Sequence, residues 1–322
     1  MKILSCIPEQ RLTYESKMEW LEDTIKKYRP DIFITPQEFF GGIQQIWFDT
    51  GEPISYKPTA LLPGIQDLCD KYDCGIFFGA VIDCPGMGRK ERVYAVEPGN
   101  VCGFFDKMML PAYDHISAKG MTGIIPENDF KNRSRIVEIM GIKASVLFCW
   151  EVYSNFIWHS IAVAEPDLLV NMIKFGVCGY PIKAKENGMS VVTGFGYGGD
   201  GGWIERLKMG AMYDLYCPIV TSTNSWKQPK RCRPLCGTIY PFGEDTLFCY
   251  PKGSRGEIEE HIIVDEFDPI KWRYYKTNKF KYKEVFDEWL PSQVRTSTMM
   301  MKIRRMERKM LKEIKDDQLP LF

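Results

Sequence analysis

Blocks of apolar residues alternate with polar segments along the chain, and their periods predict both strands and helices. Residues 2–7 form a short apolar block that predicts a first strand. A helix is predicted next, because Ser16 and Glu19 have the spacing of a capping box and Pro30 ends the pattern. The apolar stripe of this helix recurs every three or four residues, at Met18, Leu21, Ile25 and Tyr28. The chain is therefore expected to begin with a strand followed by a helix.

The later apolar blocks are mostly short and bounded by turn residues, as is typical of buried strands. They lie at residues 31–35, 75–83, 168–172, 219–223, 237–240, 246–250 and 258–267. Two hairpins are predicted, one pairing 92–97 with 101–110 and one pairing 136–139 with 142–148 across a Met140–Gly141 turn. Helices are predicted from about Pro63, over 153–165 and over 203–216. This mixture of strand–helix units and hairpins favours one α/β domain with a mixed sheet.

The last part of the chain has a different pattern. Residues 271–289 alternate Lys with aromatic side chains, and a helix is predicted after Pro291. Its apolar positions are Met299, Ile303, Met306, Met310 and Ile314. We interpret 1–268 as the main domain and 269–322 as a C-terminal extension that ends in a helix. Stacking on nucleic acid and binding to a membrane are alternatives, but the acidic residues of the helix favour packing on the domain or on a partner subunit.

Composition narrows the functional classes. The chain has 322 residues, 45% of them hydrophobic, and a formal net charge of zero, which argues against a protein that grips nucleic acid through its phosphates. No apolar run is long enough for a membrane span, and the apolar start is too short for a signal peptide. Eleven cysteines with no CxxC, beside three histidines, indicate reduced thiols rather than a zinc site. A cytoplasmic protein without a metal is expected.

Three ionisable residues stand at or just past the ends of predicted strands: Glu38, Lys107 and Cys149. Taken singly, each has an ordinary explanation: a carboxylate at a helix N-terminus, a lysine that protects an edge strand, and a buried thiol that packs like a small apolar residue. Taken together they form a chemical set. A thiol can attack, a carboxylate can take its proton, and an ammonium can stabilise developing negative charge.

The residues around these three follow the order of a known family. Pro36-Gln37-Glu38 comes after a strand, Lys107 shortly precedes Leu110-Pro111, and Cys149-Trp150-Glu151 follows a hairpin. In this the chain resembles the nitrilase (carbon–nitrogen hydrolase) superfamily. The likeness covers about residues 1–268 and continues through three later segments, at 166–171, 211–224 and 237–243.

The resemblance implies a four-layer αββα sandwich and a cofactor-free hydrolase that attacks a nitrile or small amide through Cys149. Glu38 would be the general base, and Lys107 with the backbone N–H of Trp150 would face the oxyanion. Cys149-Trp150-Glu151 is common in nitrile-converting members, although amide hydrolases use similar strings. Trp150, Glu151, Tyr113 and Phe175 are the candidate oxyanion and substrate-binding residues. Members usually associate, so a homo-oligomer, dimer or larger, is expected.

Several alternatives stay open at this stage. The same superfamily includes amidases, carbamoyl hydrolases and acyltransferases, and it could include a catalytically silent binding or assembly protein. A further family glutamate has Asp114 as its nearest candidate here, and Tyr213 stands where members often carry a carboxylate. The Gly-rich run at 194–199 matches a dinucleotide-binding pattern, but it follows no well-defined long strand, and we interpret it as a loop.

Overall fold

The fold is described from a computed structural model of the chain. The residues described are 1–8, 13–41, 54–86, 88–108, 135–153, 155–174, 177–178, 207–208, 210–215, 217–223, 232–241, 245–249 and 259–271. Within these ranges the chain forms two six-stranded sheets, one two-stranded sheet and three α-helices.

The first sheet contains the first and the last of the described strands. Its strands are β1 (Lys2–Ile7), β2 (Ile32–Ile34), β3 (Gly75–Cys84), β4 (Gly88–Glu97), β5 (Asn100–Asp106) and β14 (His261–Glu266), in the order β14-β1-β2-β3-β4-β5. Strands β1, β2 and β3 run parallel, whereas the other neighbours pair antiparallel. The buried patterns of β1, β2 and β3 explain why these blocks read as continuous apolar runs.

The second sheet is built from the middle of the chain. Its strands are β6 (Val137–Ile139), β7 (Ile142–Phe148), β8 (Leu168–Ile173), β10 (Ile219–Thr223), β12 (Leu235–Ile239) and β13 (Phe248–Cys249), in the order β13-β12-β10-β8-β7-β6. Strands β7, β8 and β10 are parallel. The two remaining strands, β9 (Val177–Cys178) and β11 (Cys232–Arg233), pair with each other.

The predicted hairpin at Met140 and Gly141 is confirmed. Strands β6 and β7 pair antiparallel, and Met140 and Gly141 have φ angles of 48° and 75°. Two successive positive φ angles are the requirement of the tight turn that matches the twist of a two-residue hairpin. This turn leads β7 directly toward Cys149.

The helices are α1 (Tyr14–Tyr28), α2 (Pro58–Tyr72) and α3 (Asn155–Ala164). The predicted cap of α1 was wrong: Thr13 is the N-cap, and its side-chain oxygen accepts a hydrogen bond from the backbone N–H of Ser16. Helix α2 begins at Pro58 rather than near Pro63, because the earlier proline also fits the first turn, where no N–H is needed. The helix predicted over 153–165 is confirmed as α3.

The packing confirms the expected four layers. One apolar cluster holds α1 and α2 against the outer face of the first sheet, with Trp20, Leu61 and Phe33 among its members. A second cluster fills the space between the sheets, where residues of β2 and β3 meet residues of β7 and β8. A third packs α3 on the outer face of the second sheet. The result is an αββα sandwich with the mixed sheets at its centre.

Other predicted segments lie wholly or partly outside the described residues. The extension at 269–322 is described only as far as Lys271, so its separate status and its C-terminal helix stay predictions. Of the helix predicted at 203–216, the described part includes a turn of π-helix at Gly210–Leu215. Among the helices that are described, none combines the length and apolar character that crossing a membrane requires.

Candidate active site

Four ionisable residues each follow the end of a strand, and within each sheet these strands run in the same direction. Glu38 comes after β2 and Lys107 after β5, and these strands run the same way because two antiparallel steps separate β5 from β3. Cys149 follows β7, and Lys174 follows its parallel neighbour β8. Lys174 contacts Glu38, so these edges of the two sheets meet. The meeting of strand ends at one edge is where α/β folds commonly build sites.

Glu38 lies in a tight turn that is held against β3. Its φ angle is 54°, in the left-handed region that side chains other than glycine seldom adopt. The turn is fixed by backbone hydrogen bonds, since Phe40 donates to the carbonyl of Gly79 at 3.0 Å and Val81 donates to that of Phe40 at 3.0 Å. Glu38 is 1% exposed, so the turn presents its carboxylate to the interior of the protein.

We expect Gly79→Ala to move Glu38 and to lower catalysis that depends on this carboxylate by roughly 100-fold, the cost of a misplacement of about 1 Å. An added Cβ would lie 2.6 Å from the carbonyl oxygen of Pro36 and 2.9 Å from the backbone nitrogen of Glu38, so backbone would have to shift. Gly103→Ala is the matched control, because its Cβ would meet only Val137, at 3.5 Å. Enzyme assays of both variants test this, and equal activity would contradict it.

Lys107 and Glu91 form a cross-strand pair. The N–H of Lys107 donates to the carbonyl of Glu91 at 2.9 Å, and the ammonium of Lys107 lies 2.8 Å from Oε2 of Glu91. Strand β5 ends at Asp106, short of the predicted end at residue 110. A β-bulge between Ala95 and Val96 shifts the register by one residue, and this shift places Lys107 opposite Glu91.

A second lysine joins this pair to Glu38. The ammonium of Lys174 lies 2.9 Å from Oε1 of Glu38 and 4.0 Å from Oε1 of Glu91. The side-chain amide of Gln37 donates to Oε2 of Glu91. The side chains of the two lysines and two glutamates are each 1% exposed or less. Glu38, Lys174, Glu91 and Lys107 thus form one buried cluster of alternating charge, which we call the charge cluster.

Glu91 is the carboxylate that both lysines share. Burial alone would raise its pKa, but the charges of Lys107 and Lys174, together with hydrogen bonds to Glu38 and Lys107, outweigh burial and hold the pKa at about 2. Glu91 is therefore an anion throughout the physiological range. A permanent anion between two buried ammonium groups explains how the fold tolerates both.

This pKa predicts how stability depends on pH. The folded-state pKa of Glu91 is about 2, below its ordinary 4.5, so its ionised form stabilises the fold above pH 4.5 by about 3 kcal/mol, and this is lost as pH falls toward 2. We expect the free energy of unfolding of Glu91→Gln to lie below wild type near pH 7, with a difference that narrows between pH 4.5 and 2. Urea titrations across this range measure it, and a constant difference would refute the assignment.

Cys149 opens a turn of 3-10 helix, Cys149–Tyr153, at the end of β7, and it is 7% exposed. Phe148 is in register with Met172 of β8, so Cys149 follows level with Ile173 and next to Lys174. Neighbouring strands are about 4.8 Å apart, which brings the backbones of Cys149 and Lys174 close together. Cys149 belongs to the apolar cluster beneath α3, and Met108 packs at the edge of that cluster.

Glu151 connects the turn that carries Cys149 to the segment that carries Lys107. Its carboxylate accepts hydrogen bonds from the backbone N–H of Met108 at 2.6 Å and of Phe148 at 3.1 Å. Arg135 donates to both of its oxygens, at 2.9 and 3.1 Å. Glu151 is fully buried, and these contacts favour a role in holding the frame of the site over the substrate contact that the sequence suggested.

The structure therefore brings the predicted residues together in two linked groups. Glu38 and Lys107 belong to the charge cluster. Cys149 is linked to it through Glu151, which lies in the same turn and accepts a hydrogen bond from the backbone N–H of Met108, next to Lys107. Tyr113, Asp114 and Phe175 lie outside the described residues, as do the side chains of Trp150 and Tyr213. Their proposed roles stay predictions.

Sequence reasoning missed Glu91 and Lys174. Lys174 carries the same signal as Cys149, an ionisable residue directly after a buried apolar strand. Glu91 alternates with Val93 and Ala95, which fill the space between the sheets, so a period of two would have placed its side chain inside. Within the described part of the chain, no group of three or more His, Cys, Asp and Glu side chains is placed to hold a metal ion.

Comparison with known proteins gives a likeness of structure. No family model and no curated protein matches the sequence. A CN-hydrolase superfamily protein from Xanthomonas campestris, solved with an arsenic adduct in its active site, has a TM-score of 0.59 and 13% identity over 86% of this chain and 94% of its own. A mutant amidase from Nesterenkonia sp. AN1, showing Michael addition of acrylamide at its active site cysteine, has a TM-score of 0.59 and 13% identity over 90% and 100%.

A third solved structure shares the architecture over part of its length. Glutamine-dependent NAD+ synthetase from Acinetobacter baumannii has a TM-score of 0.53 and 16% identity over 84% of this chain and 46% of its own. At these identities the likeness establishes a common fold.

Proposed function

We propose that this chain, which has the fold of the carbon–nitrogen hydrolases, is a member of that superfamily and hydrolyses a carbon–nitrogen bond through Cys149. The observation that carries the proposal is the buried charge cluster. It holds Glu38 and Lys107 at the sheet edge where β7 delivers Cys149. A carboxylate, an ammonium and a strand-end thiol at one sheet edge can supply a base, an oxyanion partner and a nucleophile.

The reaction would proceed in two stages. Cys149 Sγ forms a bond to the carbonyl or nitrile carbon while its proton passes to Glu38, and the negative charge that develops on the substrate oxygen or nitrogen faces Lys107 and the backbone N–H of Trp150. For an amide, Glu38 then returns the proton to the departing nitrogen. Ammonia leaves, and a thioester remains on Cys149. Water attacks the thioester with Glu38 as base and releases the acid and the free thiol. A nitrile first gives a thioimidate as Glu38 returns the proton to its nitrogen; one water then adds and ammonia leaves, and a second water hydrolyses the resulting thioester.

The substrate class we propose is a small amide or a nitrile, with no cofactor. The solved structures of like fold include an amidase, while the Cys149-Trp150-Glu151 string favours a nitrile. A panel of acetamide, propionamide, acetonitrile and propionitrile, read by ammonia release, tests the proposal and decides between the two. The charge cluster also permits transfer of the acyl group to an amine. The same panel detects this transfer when hydroxylamine replaces water as the acceptor.

One observation favours a catalytically silent relative as the second candidate. Lys174 holds Oε1 of Glu38 at 2.9 Å, and a base in a tight ion pair is a weaker proton acceptor. Iodoacetamide labelling separates the two, because alkylation tracks thiolate character. An active enzyme labels Cys149 far faster than its other ten cysteines. Uniform labelling together with no ammonia from the panel would favour the silent protein.

We also propose that the chain forms a homo-oligomer in the cytoplasm, with the extension at 269–322 at the subunit interface. Removal of the residues after 291 is expected to reduce the size of the assembly, because the apolar stripe of the predicted helix would be lost. Size-exclusion chromatography with light scattering measures the mass of both forms. An unchanged assembly would show that the interface lies elsewhere.

A further inference from the structure

The site contains a second buried lysine that the proposed chemistry does not use. Lys174 is 1% exposed, directly follows β8 as Cys149 directly follows β7, and its ammonium is 2.9 Å from Glu38 and 4.0 Å from Glu91. A buried ammonium is costly unless it is paired, and Glu91 on β4 supplies a partner for both lysines. The three residues predicted from the sequence therefore do not explain why Lys174 and Glu91 are buried in this site.

The charges of the cluster explain the arrangement. Lys107 and Lys174 contribute two positive charges and Glu91, whose pKa of about 2 keeps it ionised, contributes one negative charge. Their sum is one positive charge. The proposed reaction carries one negative charge, which moves from the Glu38 carboxylate to the Cys149 sulfur and then to the substrate. The net positive charge of Lys107, Lys174 and Glu91 therefore balances the single negative charge of the reaction at every stage.

Three further charged side chains lie near the site. Arg135 pairs with Glu151 on the Cys149 side. Lys17 of α1 faces Glu38 from the outer layer with its ammonium 5.7 Å from the centre of the Phe39 ring. Burial lowers the pKa of Lys17 to about 8, and Glu38 acts in the opposite direction. Lys17 stays the same in every variant below, so each profile is compared with the wild-type profile that contains it.

We propose that Lys174 and Glu91 are positioning residues of this site: Lys174 holds the Glu38 carboxylate and supplies a second cation to the migrating negative charge, while Glu91 holds both lysines and limits their net charge to one. This inference rests on the proposed function. Its consequence is that Lys174 and Glu91 influence the thiol in opposite directions, whereas an ion pair remote from the thiol would leave it unchanged.

The pH dependence of Cys149 alkylation by iodoacetamide tests the inference without any substrate. Lys174→Met removes the second cation, so the midpoint of the alkylation profile moves upward. Glu91→Gln leaves both lysines and removes their anion, so the midpoint moves downward. Mass spectrometry of the labelled peptides follows Cys149 separately from the other cysteines. Shifts in the same direction, or unshifted midpoints, would overturn the inference.

Further variants guard against misfolding and against a merely structural role. Lys174→Arg keeps the charge and is expected to keep the wild-type midpoint. The double variant Lys174→Met with Glu91→Gln keeps the net charge of one, so its midpoint returns toward wild type, while ammonia release stays low because Glu38 has lost its support. Lys71→Met removes an exposed lysine paired with Glu22 and serves as the neutral control. A shifted midpoint in Lys174→Arg, or restored turnover in the double variant, would count against positioning by Lys174.

The two proposals fail in different ways. If wild-type Cys149 is alkylated no faster than the other cysteines and the panel gives no ammonia, the proposed function fails and takes this inference with it. If wild-type Cys149 is alkylated rapidly but the variants leave its midpoint in place, the inference alone fails. Circular dichroism of each variant confirms that the compared proteins are folded.

Discussion

Cys149→Ala is expected to abolish ammonia release while leaving the fold intact. The thiol is the only group in the proposed mechanism that forms a bond to the substrate, so no other side chain can replace it, and a loss of at least about 10⁴-fold is expected when the nucleophile is removed. Cys149 stands at the beginning of a short turn with 7% of its surface exposed, and alanine removes a single atom there. Stability should therefore change little compared with activity.

A second buried cysteine provides the matched control. Cys217 belongs to the same apolar cluster beneath α3 and is fully buried. Cys217→Ala deletes the same sulfur from the same layer, so it should lose as much stability as Cys149→Ala, or more, and retain ammonia release. Activity is read on the best substrate of the panel and stability by thermal unfolding. Ammonia release retained in Cys149→Ala would remove the basis of the mechanism.

The strands could be predicted because their physical signal is local. Strands β2, β3 and β8 are buried along nearly their whole length, so they appear in the sequence as apolar blocks of the correct extent. The Met140–Gly141 turn was equally readable, since its residues set its geometry. The four layers followed from the resemblance rather than from periodicity, which had indicated only a mixed sheet.

The site could be predicted only in part, because its partners come from distant strands. Glu38, Lys107 and Cys149 each carry the signal of a strand end, but nothing local indicates that Lys174 contacts Glu38, 136 residues away. The position of Lys107 opposite Glu91 depends on a bulge that adds one residue to the β4–β5 register. Single-residue bulges leave little trace in an apolar pattern, so the sequence does not show that Glu91 and Lys107 face each other.

The charge cluster also explains why single-residue reasoning gave too simple a site. The sequence indicated Glu38, Lys107 and Cys149 and gave neither charged residue a partner. Here Lys107 pairs with Glu91, and Glu38 pairs with Lys174. Lys174 thus holds Glu38, while Lys107 is held by a separate carboxylate, that of Glu91. Changes at Glu38 should consequently affect proton transfer without releasing Lys107 from its partner.

Glu38→Gln provides the sharpest test of that separation. Glutamine has the same shape and keeps a side-chain oxygen that can accept from Lys174, so the turn after β2 and its contact with β3 should persist. It cannot take the thiol proton. The loss of a positioned general base costs about 10² to 10⁴-fold, and we expect kcat for ammonia release to fall within or beyond that range, with a small change in unfolding temperature.

The matched control is Glu22→Gln, which removes a carboxylate paired with Lys71 on the protein surface, at 2.6 Å but 39% exposed. Surface pairs of this kind contribute little, about 1 kcal/mol or less, so Glu22→Gln should keep both its activity and its fold. Steady-state kinetics on the same substrate compares the two variants. If Glu38→Gln kept kcat within about tenfold of wild type, well short of the loss expected for a general base, the thiol proton would have to leave by another route, and Lys174 would then hold a carboxylate with no catalytic duty.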